Sequence, residues 1–174
     1  MIRATFLGLL FTTFLFTSSL FAQDNAAPSA GAPGCGAPDT KFDVKTAEGQ
    51  HPAQPEAGKA LVYFIQDDSA YISRPRPTTR MGVDGEWVGA THSNSYFYFS
   101  VNPGLHHLCA SWQGDGQKAA AAHFTAEAGG VYYFEVKNSY WTNGSTGMSL
   151  DPVDSDEGQL LVNQFSFNIS HPKK

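Results

Sequence analysis

The apolar pattern of this chain changes texture at Lys59. Beyond it, Leu61-Val62-Tyr63-Phe64-Ile65 is an unbroken β-favouring run that stops at Gln66-Asp67-Asp68. Apolar side chains on both of its faces predict a central strand covered from two sides. Residues 69–77 (SAYISRPRP) read as a loop, because Pro75 and Pro77 cannot donate to a paired ladder. Residues 78–83 and 86–90 flank Asp84-Gly85, a tight-hairpin dipeptide. Residues 96–101 alternate, with Phe97, Phe99 and Val101 on one face and Tyr96, Tyr98 and Ser100 on the other. After the Asn102-Pro103-Gly104 turn, His106, Leu108, Ala110 and Trp112 share a face; Leu105, His107, Cys109 and Ser111 share its reverse. Residues 118–126 and 130–137 predict a further hairpin, with Tyr132, Phe134 and Val136 inward and Tyr133, Glu135 and Lys137 outward. Residues 138–146 (NSYWTNGST) read as a polar loop and 148–150 as a short strand.

One helix is predicted over about 155–165. Asp154 is its N-cap and Glu157 the capping-box partner. Leu160, Leu161, Gln164 and Phe165 fit one helical stripe, and Gly158 weakens it locally. Strands at short spacing with Gly, Pro and Asn turns predict a mainly β fold. The expected architecture is an antiparallel β-sandwich with one short C-terminal helix over a sheet edge or open end. Its bounds are 59–167, with a polar tail at 168–174.

Ahead of Lys59 the pattern is different. Residues 1–22 carry Arg3, an apolar stretch from Phe6 to Phe16, then Ser18, Ser19 and Ala22. This is the layout of a secretory signal peptide cleaved after Ala22. Leu20 at the −3 position is larger than usual, and the alternative is an uncleaved anchor. Residues 23–58 are rich in Ala, Pro and Gly and read as a tether, interrupted by Phe42-Asp43-Val44. His51, before Pro52, reads as an exposed linker residue.

Composition narrows the function classes. The chain has 174 residues and a net charge of -5. Loss of residues 1–22 removes one Arg and no acid, which takes -5 to -6. An acidic chain lacks the basic face that nucleic-acid binding needs. No segment after the signal is long enough to span a membrane. In an oxidising compartment the two cysteines, Cys35 and Cys109, are expected to form one disulfide, the alternative being two free thiols.

The pieces KALVYFI, VDGEWVGATHSNSYFYFSVNPGLHHLCASW, FTAEAGGVYYFEV and LDPVDSDEGQLL occur in that order. In this the chain resembles a family of bacterial exported domains of unknown function, with features similar to PEGA-type surface domains in the middle piece. The resemblance implies an immunoglobulin-like or prealbumin-like sandwich, and no catalytic residue comes with it. The place of export it implies is the periplasm or the outside of the cell, with association at the cell surface.

Candidate chemistry is sparse. His106 and His107 are adjacent, so on a strand they point to opposite faces and cannot chelate one ion. His106 reads as a core or edge histidine bonded to a nearby turn, and no metal site is expected. His92, His107 and His123 lie on separate predicted strands, and their convergence is left open. No nucleophile elbow or Cys-His signature is present, so no catalytic residue, cofactor or enzyme activity is expected. Asp151, Asp154, Asp156 and Glu157 lack EF-hand spacing and read as helix capping. Arg74, Arg76 and Arg80, set among prolines, are candidate ligand contacts for carboxylates, phosphates or sulfated glycans. The alternative pairs them with Asp67 and Asp68. Tyr140 and Trp141 are candidate aromatic contacts. The expected function is a non-enzymatic envelope binding or structural module whose partner is an envelope component or exported protein. A carbohydrate-binding, adhesin-like domain is the alternative, ahead of a hydrolase of unfamiliar type.

Overall fold

The computed structural model describes residues 35–49, 51–115 and 118–174. The signal peptide expected at 1–22 and the first part of the tether lie outside these residues. Ten strands and a helix follow in order: β1 Phe42–Ala47, β2 Ala60–Asp67, β3 Thr78–Val83, β4 Glu86–His92, β5 Ser95–Val101, β6 Gly104–Trp112, β7 Ala119–Ala126, β8 Val131–Tyr140, β9 Thr146–Val153, α1 Ser155–Gln164 and β10 Ser166–Pro172. They build two sheets, ordered β1-β10-β5-β2-β8-β9 and β4-β3-β6-β7. The fold is a mainly β sandwich, as expected.

β2 is central, between β5 and β8, because it has apolar side chains to bury on both faces. Val62 and Phe64 join Met81, Phe97, Leu108, Phe134 and Val136 between the sheets. Leu61, Tyr63 and Ile65 join Tyr96 and Tyr133 in a second cluster on the opposite face. The alternation expected for 96–101 holds: Phe97, Phe99 and Val101 belong with the first cluster, Tyr96 and Tyr98 with the second. The Asp84-Gly85 turn joins β3 and β4, with positive φ at both residues.

The pairing is not wholly antiparallel. β2 pairs with β8, and β10 with β5, in parallel. The chain crosses to the four-stranded sheet between β2 and β8, so it can return in either direction.

Both ends of the domain are more ordered than the pattern indicated. The tether contains β1, whose Phe42 is buried, and the expected polar tail is β10. β1 and β10 pair along six residues, from Phe42↔Pro172 to Ala47↔Phe167. Each is too polar to announce itself, and each needs the other as a partner. His51 is half-buried and stacks on Phe167 with ring centroids 4.4 Å apart, rather than standing in solvent.

The helix covers a face, not an edge. It lies over β8 and β2, so Tyr133 and Glu135, expected outward, are buried. The stripe it buries is also shifted. Leu160 is exposed, while Leu161, Val162 and Phe165 pack on the second cluster. Gly158 is the closest point: a Cβ there would lie 2.2 Å from Tyr133 Cγ. Asp154 is the N-cap as expected, and its carboxylate accepts from the backbone N–H of Asp156 and Glu157.

Candidate functional site

The loops that follow β2, β4, β6 and β8 gather at one end of the sandwich, over a buried polar network. Asp68, just past β2, is fully buried. Gln66 Nε2 donates to both Asp68 oxygens at 2.9 Å and to the Pro77 carbonyl at 3.1 Å. Asn138 Nδ2 donates to Asp68 Oδ1 at 2.8 Å and to Thr79 Oγ1 at 3.1 Å. Trp112 Nε1 donates to Asn138 Oδ1 at 2.7 Å, and Thr91 Oγ1 to Gln66 Oε1 at 2.7 Å. Burial pushes the Asp68 carboxyl above its ordinary range, against the Gln66 and Asn138 hydrogen bonds and the Arg76 charge. The carboxylate is closed to solvent and met by the side-chain amides of Gln66 and Asn138. It ties β2, β3 and β8 to the loop above.

That loop runs from Ser69 to Pro77. The Asp68 N–H donates to Asn94 Oδ1 at 2.9 Å, and Arg76 Nη1 reaches the same oxygen at 3.5 Å. Tyr71 pairs with Tyr140 in an isolated parallel bridge. Its ring meets Tyr140 at 5.6 Å and stands edge-on to Trp112 at 5.8 Å. Outside this packed base, Ile72 is 62% exposed and Trp141 50% exposed, and Arg74 is also exposed. Trp141 begins a tight turn. The Gly144 N–H donates to its carbonyl at 2.9 Å, and its own N–H donates to Ser145 O at 3.0 Å. Its ring lies over Gly147, where a Cβ would come within 2.8 Å. The sequence pattern marks only one of these two residues: Trp141 stands out by its polar surroundings, whereas Ile72 resembles any apolar residue until the Tyr71 bridge turns the loop outward.

The predicted contact residues part company. Arg74 stays exposed and Arg76 is half-buried against Asn94. Arg80 is not on the loop at all: it lies within β3 and is buried. Its guanidinium donates to the carbonyls of Pro38 at 2.9 Å and Thr40 at 2.7 Å, and to Ser111 Oγ at 3.2 Å. It therefore holds the segment after Cys35 against the outer face of the four-stranded sheet. It belongs to the strand predicted over residues 78–83, not to the proline-flanked loop with which the cluster of three arginines groups it. Tyr140 ends β8 and is half-buried, so the loop proper is 141–145. Asp68 turns inward to amides rather than outward to an arginine.

Cys35 and Cys109 are disulfide-bonded, with Cα atoms 5.0 Å apart. Two histidine expectations can be placed. His106 Nδ1 lies 2.6 Å from Asp84 Oδ2 and its Nε2 2.7 Å from Asn102 O, so its ring ties two turns together. His107 points to the opposite face, where it is the register partner of His123. His92 sits elsewhere, at the far end of β4 beside Thr78. Among the described residues, no group of three or more His, Cys, Asp or Glu is placed to hold a metal ion.

Beside the helix lies a groove of about 560 Å³ whose floor is Tyr63 and Tyr133, with Gln54, Ser155, Gln159 and Asn163 on its walls. Tyr63 Oη accepts from the Ala53 N–H at 3.1 Å, which pins the segment before β2 as one rim. No helix among the described residues is long and apolar enough to cross a membrane.

Comparison with known proteins adds family and little else. The family described as "Protein of unknown function (DUF2846)" matches residues 56–148. No curated protein matches the chain. Among solved structures, an NMR structure of a protein from Eubacterium rectale is similar at 14% identity and a TM-score of 0.39, over 60% of this chain and 98% of that one.

Proposed function

The chain belongs to the DUF2846 family of proteins of unknown function, and from that premise we propose that it is a non-enzymatic binding module of the bacterial cell envelope, secreted or periplasmic, whose partner is another exported protein. The carrying observation is the pair of exposed apolar side chains, Ile72 and Trp141, on the two segments joined at the Tyr71–Tyr140 bridge. Trp and Arg contribute most per contact in protein interfaces, and Arg74 belongs to the same loop as Ile72. The base beneath is already ordered by the Asp68 network, so little freedom is lost on docking. A cationic, apolar patch on an acidic chain suits a partner surface with an acidic rim. The signal-like segment at 1–22 and the disulfide support export.

The test is retention of envelope proteins on immobilised wild type and on an Ile72→Ala/Arg74→Ala/Trp141→Ala variant. A protein held by the first and lost from the second supports the reading. Equal retention overturns it. The carbohydrate reading now rests on Trp141 alone, because Tyr140 is packed against Tyr71. A glycan array read with wild type and Trp141→Ala decides it. The hydrolase reading has less behind it: the groove beside the helix has no histidine or carboxylate among its lining residues.

A further inference from the structure

We propose that His107 and His123 form a chelating site for a soft-to-borderline divalent metal ion, Zn²⁺ or Cu²⁺, on the outer face of the four-stranded sheet. This is independent of the loop-end binding reading. The two residues are direct register partners on antiparallel β6 and β7, and both are exposed. Facing side chains in such a pair start from Cβ atoms about 4.5–5.5 Å apart. Their ring centroids are 6.5 Å apart and the planes differ by 38°. Metal–imidazole bonds of about 2.0–2.1 Å require the two centroids to sit roughly 5–6 Å apart. The rings must therefore close by about 1 Å, a change that rotation of two exposed side chains supplies.

The backbone beneath is already held. The His107 N–H donates to Asp84 Oδ1 at 2.8 Å, and its carbonyl accepts from the Asp84 N–H at 2.9 Å. One residue earlier, the His106 ring is tied to Asp84 and Asn102 from the other face. Asp84 is thus a positioning residue whose carboxylate is already committed. The neighbouring cross-strand positions on the outer face are Leu105↔Thr125 and Cys109↔Ala121. Thr125 and Ala121 are small, and Leu105, like the two histidines, is exposed. Cys109 is buried in its disulfide and offers no thiolate. The donor set is therefore two imidazole nitrogens, with water in the remaining positions. Imidazole donors select zinc, copper or nickel over the oxygen-seeking calcium and magnesium. The bound ion would clamp β7, an edge strand of its sheet, onto β6.

The experiment is calorimetric titration of the folded chain with ZnCl₂, CuSO₄ and CaCl₂, with far-UV circular dichroism confirming that each variant is folded. Wild type should bind one Zn²⁺ or Cu²⁺ and give no calcium signal. His107→Ala and His123→Ala should each weaken binding by at least about tenfold. His92→Ala and His171→Ala should leave it unchanged. A second readout is hydrogen exchange at the amides of residues 121–125, which should slow on adding Zn²⁺ to wild type and not to the His107→Ala/His123→Ala variant. Undiminished affinity in that double variant, or no micromolar binding by wild type, overturns the proposal.

Discussion

The guanidinium of Arg80 lies 4.3 Å from the centre of the Trp87 ring, on the outer face of the four-stranded sheet. Trp87 Nε1 in turn donates to the Ala37 carbonyl at 2.7 Å, and Arg80 reaches the carbonyls of Pro38 and Thr40. Two side chains from neighbouring strands thus grip three carbonyls, those of Ala37, Pro38 and Thr40, in a segment that sequence pattern alone reads as a tether. Arg80→Met keeps much of the stem's packing but leaves those carbonyls without their donor. It should lower unfolding stability by about 2–4 kcal/mol in urea titration. Stability within experimental error of wild type would show that the grip is incidental.

The disulfide secures the same segment covalently. Cys35 and Cys109 are 74 residues apart, and closing such a loop contributes on the order of 4 kcal/mol in the chain-entropy account. Cys35→Ala/Cys109→Ala should therefore unfold at markedly lower urea. Adding reductant should shift wild type toward the variant and leave the variant unmoved.

Gly158 supplies a prediction of sign. Helix propensity alone says that Gly158→Ala should stabilise by about 1 kcal/mol. The contact says otherwise, because the new methyl would fall 2.2 Å from Tyr133 Cγ and 2.7 Å from its Cβ, and the Cβ is fixed by the backbone whatever the ring does. Overpacking of this kind costs about 1–3 kcal/mol, so the net change should be destabilising. A rise in melting temperature would mean that the helix sits farther from β8 than described.

Asp68 gives stability a pH dependence. Burial raises its folded pKa above that of the unfolded chain. Between those two values the native state holds the extra proton, so stability falls as pH rises, and the loss is complete above the folded value. Glu135, also raised by burial against the pull of Lys137, adds a slope of the same sign. Denaturant titrations across the mildly acidic range should show a shallower fall for Asp68→Asn, and a shallower one still for Asp68→Asn/Glu135→Gln. Parallel curves for wild type and Asp68→Asn would remove Asp68 from the account.

The strands that carry the core could be read from the chain because each has its own apolar signal. Phe64, Phe97 and Phe134 announce their elements without help. The misreadings come where the signal belongs to a pair. Phe42-Asp43-Val44 and Phe167-Asn168-Ile169 are each weak, and become strands only when set beside one another. Glu135 looks solvent-facing because alternation reports which residues share a face, not whether a helix later covers it. Closeness in sequence groups Arg80 with Arg74 and Arg76, although its burial depends on carbonyls about 40 residues earlier. At the candidate site, Trp141 was visible as an aromatic in polar company. The Asp68 network was not, since its members are ordinary polar residues scattered from Gln66 to Asn138.

β10 is wedged between β1 and β5, so the six-stranded sheet has a gap until residues 166–172 arrive. A chain interrupted after the helix would have most of its core assembled and still present two unsatisfied ladders, those of β1 and β5. Such raw margins invite pairing with a stranger. The segment that shuts the sheet thus also anchors the segment leading from the disulfide. Any fusion or cleavage that disturbs those seven residues should first reveal itself as clumping, before any loss of the interior packing.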